Sequence, residues 1–176
     1  MRTFALSAIG SDRPGIIAAV AECLVPHGVN VTDSHMGILR GVFAMTLLVT
    51  APDGVDEDRL SADLREVAGA QRLDGLLLYP VPEPGPVDLT EPTHVVHVHG
   101  ADHPGILAAV TGSLAAAGVN VCDLRTRLSD AGVWVMVIWV SAPAAADPAA
   151  LEAALQAVGE REGVEVTLQP ADVDVL

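Results

Sequence analysis

From Thr3 to Ile9, apolar and polar side chains alternate with the two-residue period of a half-buried strand. After Pro14-Gly15 the period changes. Ile16, Ile17, Val20 and Leu24 recur at helical spacing and predict a helix. Asp12 stands where an N-cap belongs, Pro14 is tolerated in a first turn, and Gly28 marks the helix end. Val29 to Leu39 and Val42 to Thr50 read as two strands around an Arg40-Gly41 turn. Leu60, Leu64, Val67 and Ala68 define a second amphipathic helix, and Leu76 to Tyr79 a closing strand. The order is β-α-β-β-α-β, an α+β ferredoxin-like unit. It predicts a four-stranded antiparallel sheet with both helices on one face.

The pattern then repeats. Gly10 to Asp33 and Gly100 to Asp123 share fourteen of 24 residues at an offset of 90. After one inserted residue the register continues at 91. Phe43, Met45, Leu47 and Val49 align with Trp134, Met136, Ile138 and Val140; Leu60, Leu64 and Val67 align with Leu151, Leu155 and Val158. The chain therefore reads as repeat 1 (1–80), a linker (81–92), repeat 2 (93–170) and a short tail (171–176). Pro80 to Pro92 carries five of the twelve prolines, which favour a semi-rigid extended connection.

The central strands are apolar on both faces. Val133 to Val140 is an unbroken apolar run, and Val42 to Val49 nearly is. Successive side chains of a strand point to opposite faces, so helices can cover only half of them. The remainder calls for a partner surface, and tight pairing of the repeats within a homo-oligomer, a dimer in the simplest case, is expected.

Composition narrows the function classes. The chain is 51% hydrophobic and 18% charged, which excludes a disordered chain. An eight-residue apolar run falls well short of the roughly 20 needed to span a membrane. The N-terminus leads into alternating residues and not into a signal-peptide block, so a cytoplasmic protein is expected. The nine basic residues are all Arg and scattered, against 23 acidic ones, for a net charge of −14. Direct binding to nucleic acid or an anionic membrane needs clustered positive charge, and none is present. Cys23 and Cys122 lack metal-ligand or redox spacing and read as small buried hydrophobes.

The candidate chemistry lies where the first strand of each repeat meets its helix. A helix N-terminus offers unpaired N–H groups and partial positive charge to an anion. Gly15 would admit a ligand close to the backbone. Asp12 could hold an ammonium, and Asn30, opening the next strand, offers both donor and acceptor. Together these suit a small zwitterion. Asp102, Gly105 and Asn120 repeat the set, while Arg13 and His103 differ between the loops. The alternative is that the aspartates only cap and the glycines only turn.

G-x-D-[RH]-P-G-I followed by Gly-Val-Asn-Val and Asp, twice within β-α-β-β-α-β, resembles the ACT domain. The stretch Asn30 to Leu39 and the overall length are similar to the glycine cleavage system transcriptional repressor family. The resemblance implies an amino-acid sensor, with glycine or serine as first guess, that acts through a regulatory protein partner and not through DNA. It implies no cofactor and no catalysis. It carries ligand contacts onto Asp12, Arg13, Gly15, Ile16 and Asn30, and onto Asp102, His103, Gly105, Ile106 and Asn120.

Two other readings remain at this point. His97, His99 and His103 resemble the H-x-H-x-D-H signature of metal-dependent hydrolases, with one residue too many. Alternation turns His97 and His99 away from the core face, where interface residues are expected. His27 and His35 read as surface residues. The last reading is a ligand-free interaction module.

Overall fold

The structure is a computed structural model, and it describes residues 1–82, 91–129 and 132–171. Most of the expected linker and nearly all of the tail lie outside the described residues. The chain divides into two compact units, Met1–Val87 and Asp88–Leu176.

The first unit runs β1 (Arg2–Ser11), α1 (Ile16–Leu24), β2 (Asn30–Leu39), β3 (Val42–Ala51), α2 (Glu57–Ala70) and β4 (Leu73–Val81). A short 3-10 turn, Val25–His27, extends α1 to Gly28, whose left-handed φ of 65° ends it. The second unit repeats this as β5 (His94–Ala101), α3 (Ile106–Ala116), β6 (Asn120–Leu128), β7 (Val133–Ser141), α4 (Pro148–Glu162) and β8 (Val164–Pro170). The sheet orders are β2-β3-β1-β4 and β6-β7-β5-β8, with every neighbour antiparallel. The two tandem ferredoxin-like units are thus present as the pattern predicts.

Each core follows from the alternation. Phe4, Leu6 and Ala8 of β1 and Phe43, Met45, Leu47 and Val49 of β3 are buried against Ile16, Val20 and Leu24 of α1 and Leu60 and Leu64 of α2. In the second unit Val96, Val98, Met136, Ile138 and Val140 meet Ile106, Val110, Leu114, Leu151 and Leu155.

The opposite sheet faces are less apolar than the strand sequences suggest, because edge strands contribute polar partners. His97 on β5 shares its row with Val137, Arg125 and Thr167. His99 shares the next row with Val135, Arg127 and Glu165, and its Nε2 lies 3.2 Å from the Glu165 carboxylate. Arg125 stacks over the Trp139 ring at 5.1 Å. Apolar groups are still exposed on this side, among them Val133 and Val135. The first unit exposes Ile9, Val42, Leu77 and Tyr79 in the same way.

Four local expectations are corrected. Asp12 and Asp102 are not N-caps: α1 and α3 begin at Ile16 and Ile106, behind Gly15 and Gly105, with no side-chain cap. Pro14 therefore precedes the helix and does not occupy its first turn. Cys122 is exposed, while Cys23 is half-buried against the core. His27 is no plain surface residue, since its side chain is only 9% exposed and bonds Asp63.

Candidate functional site

The two glycines of the loop motif have different duties. Gly10, next to last in β1, lies at a register shift against β4, where a Cβ would lie 3.0 Å from the Leu73 Cα. Gly100 is tighter, with Val164 Cγ1 only 2.7 Å from the added carbon. These glycines allow neighbouring strands to approach. Gly15 and Gly105 instead adopt φ of 96° and 112°, which L side chains rarely enter.

The left-handed turn at Gly15 sets the chain into α1 with its first N–H groups unmet by any side chain. A Cβ on Gly15 would meet nothing within 4 Å, so the space before this helix is open. Ile16 is buried, so the exposed positions of this turn are Gly15 and Ile17. Asp12 is exposed, and its backbone N–H donates to the Gly41 carbonyl at 2.9 Å, tying the loop to the β2–β3 turn. The Nε of Arg13 is shut from solvent without a hydrogen-bond partner.

The second loop has the same backbone and different side chains. His103 Nδ1 lies 3.1 Å from the Pro104 carbonyl, and Nε2 lies 2.7 Å from that of Glu162, at the end of α4. Both partners are acceptors, so the ring meets both only as an imidazolium. Its pKa is raised, first by the Glu162 carbonyl, then by that of Pro104. The Glu162 and Asp102 carboxylates add to this against desolvation. Ile106 is buried like Ile16.

The structure does not bring Asn30 to Asp12 within one unit. Asn30 pairs with Thr50, which pairs with Thr3 at the start of β1. Asp12 follows Ser11 at the other end of that strand. Eight residues separate the two ends, roughly 27 Å at the rise of an antiparallel strand. The second unit repeats this: Asn120 pairs with Ser141, whereas Asp102 follows Ala101, which pairs with Val133. The antiparallel β1–β3–β2 order dictates the separation, and residue spacing along the sequence conceals it.

The hydrolase reading is corrected as well. His97 and His99 lie on the sheet face away from the core, and both ring nitrogens of His103 are taken by carbonyls. Among the described residues, no group of three or more His, Cys, Asp or Glu side chains could hold a metal ion.

Sequence reasoning missed one cluster. His27 Nε2 lies 2.8 Å from Asp63 Oδ2 beside a cleft of about 450 Å³ lined by Pro26, Pro52, Val55, Asp56 and Arg59. The signal was the repeat itself, because Ala117, Ala154 and Ala150 stand where the first unit has His27, Asp63 and Arg59. Cys23 lies on α1, one turn before His27. Burial pushes its thiol up, and the Asp63 and Glu66 carboxylates push it further. That is opposite to what activates a nucleophilic thiol.

The ACT domain model matches residues 2–75 and again 93–169. The chain is 29% identical over 166 residues to phosphoserine phosphatase SerB2 of Mycobacterium tuberculosis, covering 93% of this chain and 40% of that protein. It thus spans less than two thirds of that relative's length. Among solved structures, an unknown protein from Galdieria sulphuraria matches with TM-score 0.73 at 28% identity, over 97% of this chain and 99% of that one. A candidate glycine cleavage system transcriptional repressor matches with TM-score 0.76 at 18% identity, over 97% and 98%. At that identity the likeness is one of fold. No helix among the described residues is long and apolar enough to cross a membrane.

Proposed function

This chain belongs to the ACT domain family, and from that premise we propose that it is a non-catalytic regulatory protein sensing a small amino acid. The observation that carries this reading is the open, uncapped N-terminus of α1 behind Gly15, with Asp12 exposed in the loop that leads to it. A ligand carboxylate would take the N–H groups of the first turn, and its ammonium would take Asp12. Arg13, in the same loop, adds positive charge that favours an anionic group nearby. Glycine or serine is the first choice, since a small side chain suits an open backbone cradle. The phosphoserine phosphatase relative favours a serine-like ligand.

Asn30 can join this site only from another copy of the unit. If two β2 edges pair antiparallel, Asn30 of one chain comes opposite Leu39 of the other, next to the Gly41 carbonyl that holds Asp12. A homodimer of this kind would complete the site and couple ligand to assembly. The exposed Val31, Met36, Ile38 and Leu39 of β2 support that edge as the contact. A regulatory protein partner would then read the paired state. Scattered Arg and a charge of −14 favour a protein partner in the cytoplasm over nucleic acid or membrane.

Calorimetry of the intact chain against the twenty standard amino acids tests this. The expected result is heat with one or a few small amino acids, reduced at least tenfold in affinity by Asp12→Ala and by Asn30→Ala. No heat with any of them overturns the sensor reading and leaves an interaction module.

A further inference from the structure

We propose that the two repeats are unequal, and that the second loop is closed by the chain's own Glu162, leaving one amino-acid site per chain, at α1. This rests on the amino-acid-sensing reading above and concerns which copy of the loop serves it.

The argument begins with the same helix end in two surroundings. At Gly105, an added Cβ would lie 3.9 Å from Glu162 Oε2, whereas at Gly15 it meets nothing within 4 Å. The Glu162 carboxylate therefore stands beside Gly105, in the space that is open at Gly15, without a cap hydrogen bond to the N–H groups of α3. The partial positive charge of that helix end favours it there. Its side chain is only 19% exposed, and Arg161 Nε holds the other oxygen at 3.0 Å. His103 fastens the arrangement, because its ring bonds the Glu162 carbonyl at 2.7 Å and the Pro104 carbonyl at 3.1 Å. The loop is thus tied to the end of α4.

The first repeat lacks each of these parts. By the offset that pairs Leu60 with Leu151, Glu162 aligns with neutral Gln71, and Arg161 with Ala70. His103 aligns with Arg13, whose Nε has no partner. One loop carries a built-in anion, paired with Arg161 and latched by the His103 ring; the other carries Arg13 and open space. A ligand carboxylate arriving at α3 would meet like charge already in place, whereas at α1 it would not. Removing that charge should raise the affinity of the second loop roughly tenfold or more.

Two measurements on the intact chain test this. The first needs no ligand: amide hydrogen exchange of Gly105, Ile106 and Leu107 is compared with that of Gly15, Ile16 and Ile17. Slower exchange at α3, lost in Glu162→Gln, is expected; equal rates in the unaltered chain overturn the closure. The second is titration with glycine and L-serine followed by amide NMR. One ligand per chain, with shifts confined to the α1 loop, is expected, and a second site should appear in Glu162→Gln. Two equivalents in the unaltered chain, with shifts at Gly105, overturn the inequality. Absence of binding by either probe counts against the sensing reading alone, and the exchange rates still decide whether Glu162 covers the α3 loop.

Discussion

His27 and Asp63 form a hydrogen-bonded pair between the end of α1 and α2, Nε2 to Oδ2 at 2.8 Å, that the second repeat replaces with Ala117 and Ala154. The second unit builds the same fold without it, so the pair adds to a frame that already stands. A double-mutant cycle with His27→Ala and Asp63→Ala, read by urea denaturation, should give a coupling of about 0.5–1 kcal/mol. Unfolding of either single variant at room temperature would show instead that the first unit depends on the pair.

The contact between Gly100 and Val164 is the tightest of the loop motif. A methyl group there overlaps Val164 Cγ1, so Gly100→Ala should cost about 1–3 kcal/mol as an overpacking substitution. Gly10→Ala should cost less, since its nearest atom is 3.0 Å away. Gly37→Ala, with nothing within 4 Å of the added carbon, serves as the control and should stay within about 0.5 kcal/mol. Thermal melts of the three variants rank them directly.

The His103 latch has a pH signature. Its pKa is raised in the folded chain, chiefly by the Glu162 and Pro104 carbonyls. A raised pKa means that the folded state binds the proton more tightly than the unfolded chain. The stabilisation is fully present below the unfolded value of about 6.5 and is lost as pH rises through the folded value. The difference in Tm between the unaltered chain and His103→Ala should therefore be largest in mild acid and shrink toward alkaline pH. A difference that grows with pH would contradict the two-carbonyl arrangement.

Cys23 should be a slow thiol. Burial raises its pKa, and the Asp63 and Glu66 carboxylates raise it further, so little thiolate exists near neutrality. In a Cys122→Ser background, iodoacetamide should modify Cys23 more slowly than it modifies glutathione at pH 7.5. Asp63→Asn should speed the reaction by removing one of the two charges.

Much of this protein was legible without coordinates because hydrophobic period and duplication agree. Phe4, Leu6 and Ala8, and Val96 and Val98, alternate inward as the pattern requires, and the loop at Gly15 recurs at Gly105. Helix capping was misread at Asp12, because a left-handed glycine can start a helix without a side-chain cap. His27 was misread as surface, since its partner Asp63 lies 36 residues away on another helix.

The sequence by itself determined the repeat, the element order and the inward faces, and it nominated the loop residues proposed to meet an amino acid. Periodicity and turn chemistry are local, and local signals suffice for those. Only the tertiary structure decided which of these residues can act together. Antiparallel pairing sends Asn30 to the far end of the sheet from Asp12, and the end of α4 brings Glu162 over one loop while leaving the other open. Such distances depend on how strands and helices pack, and no spacing along the chain records them.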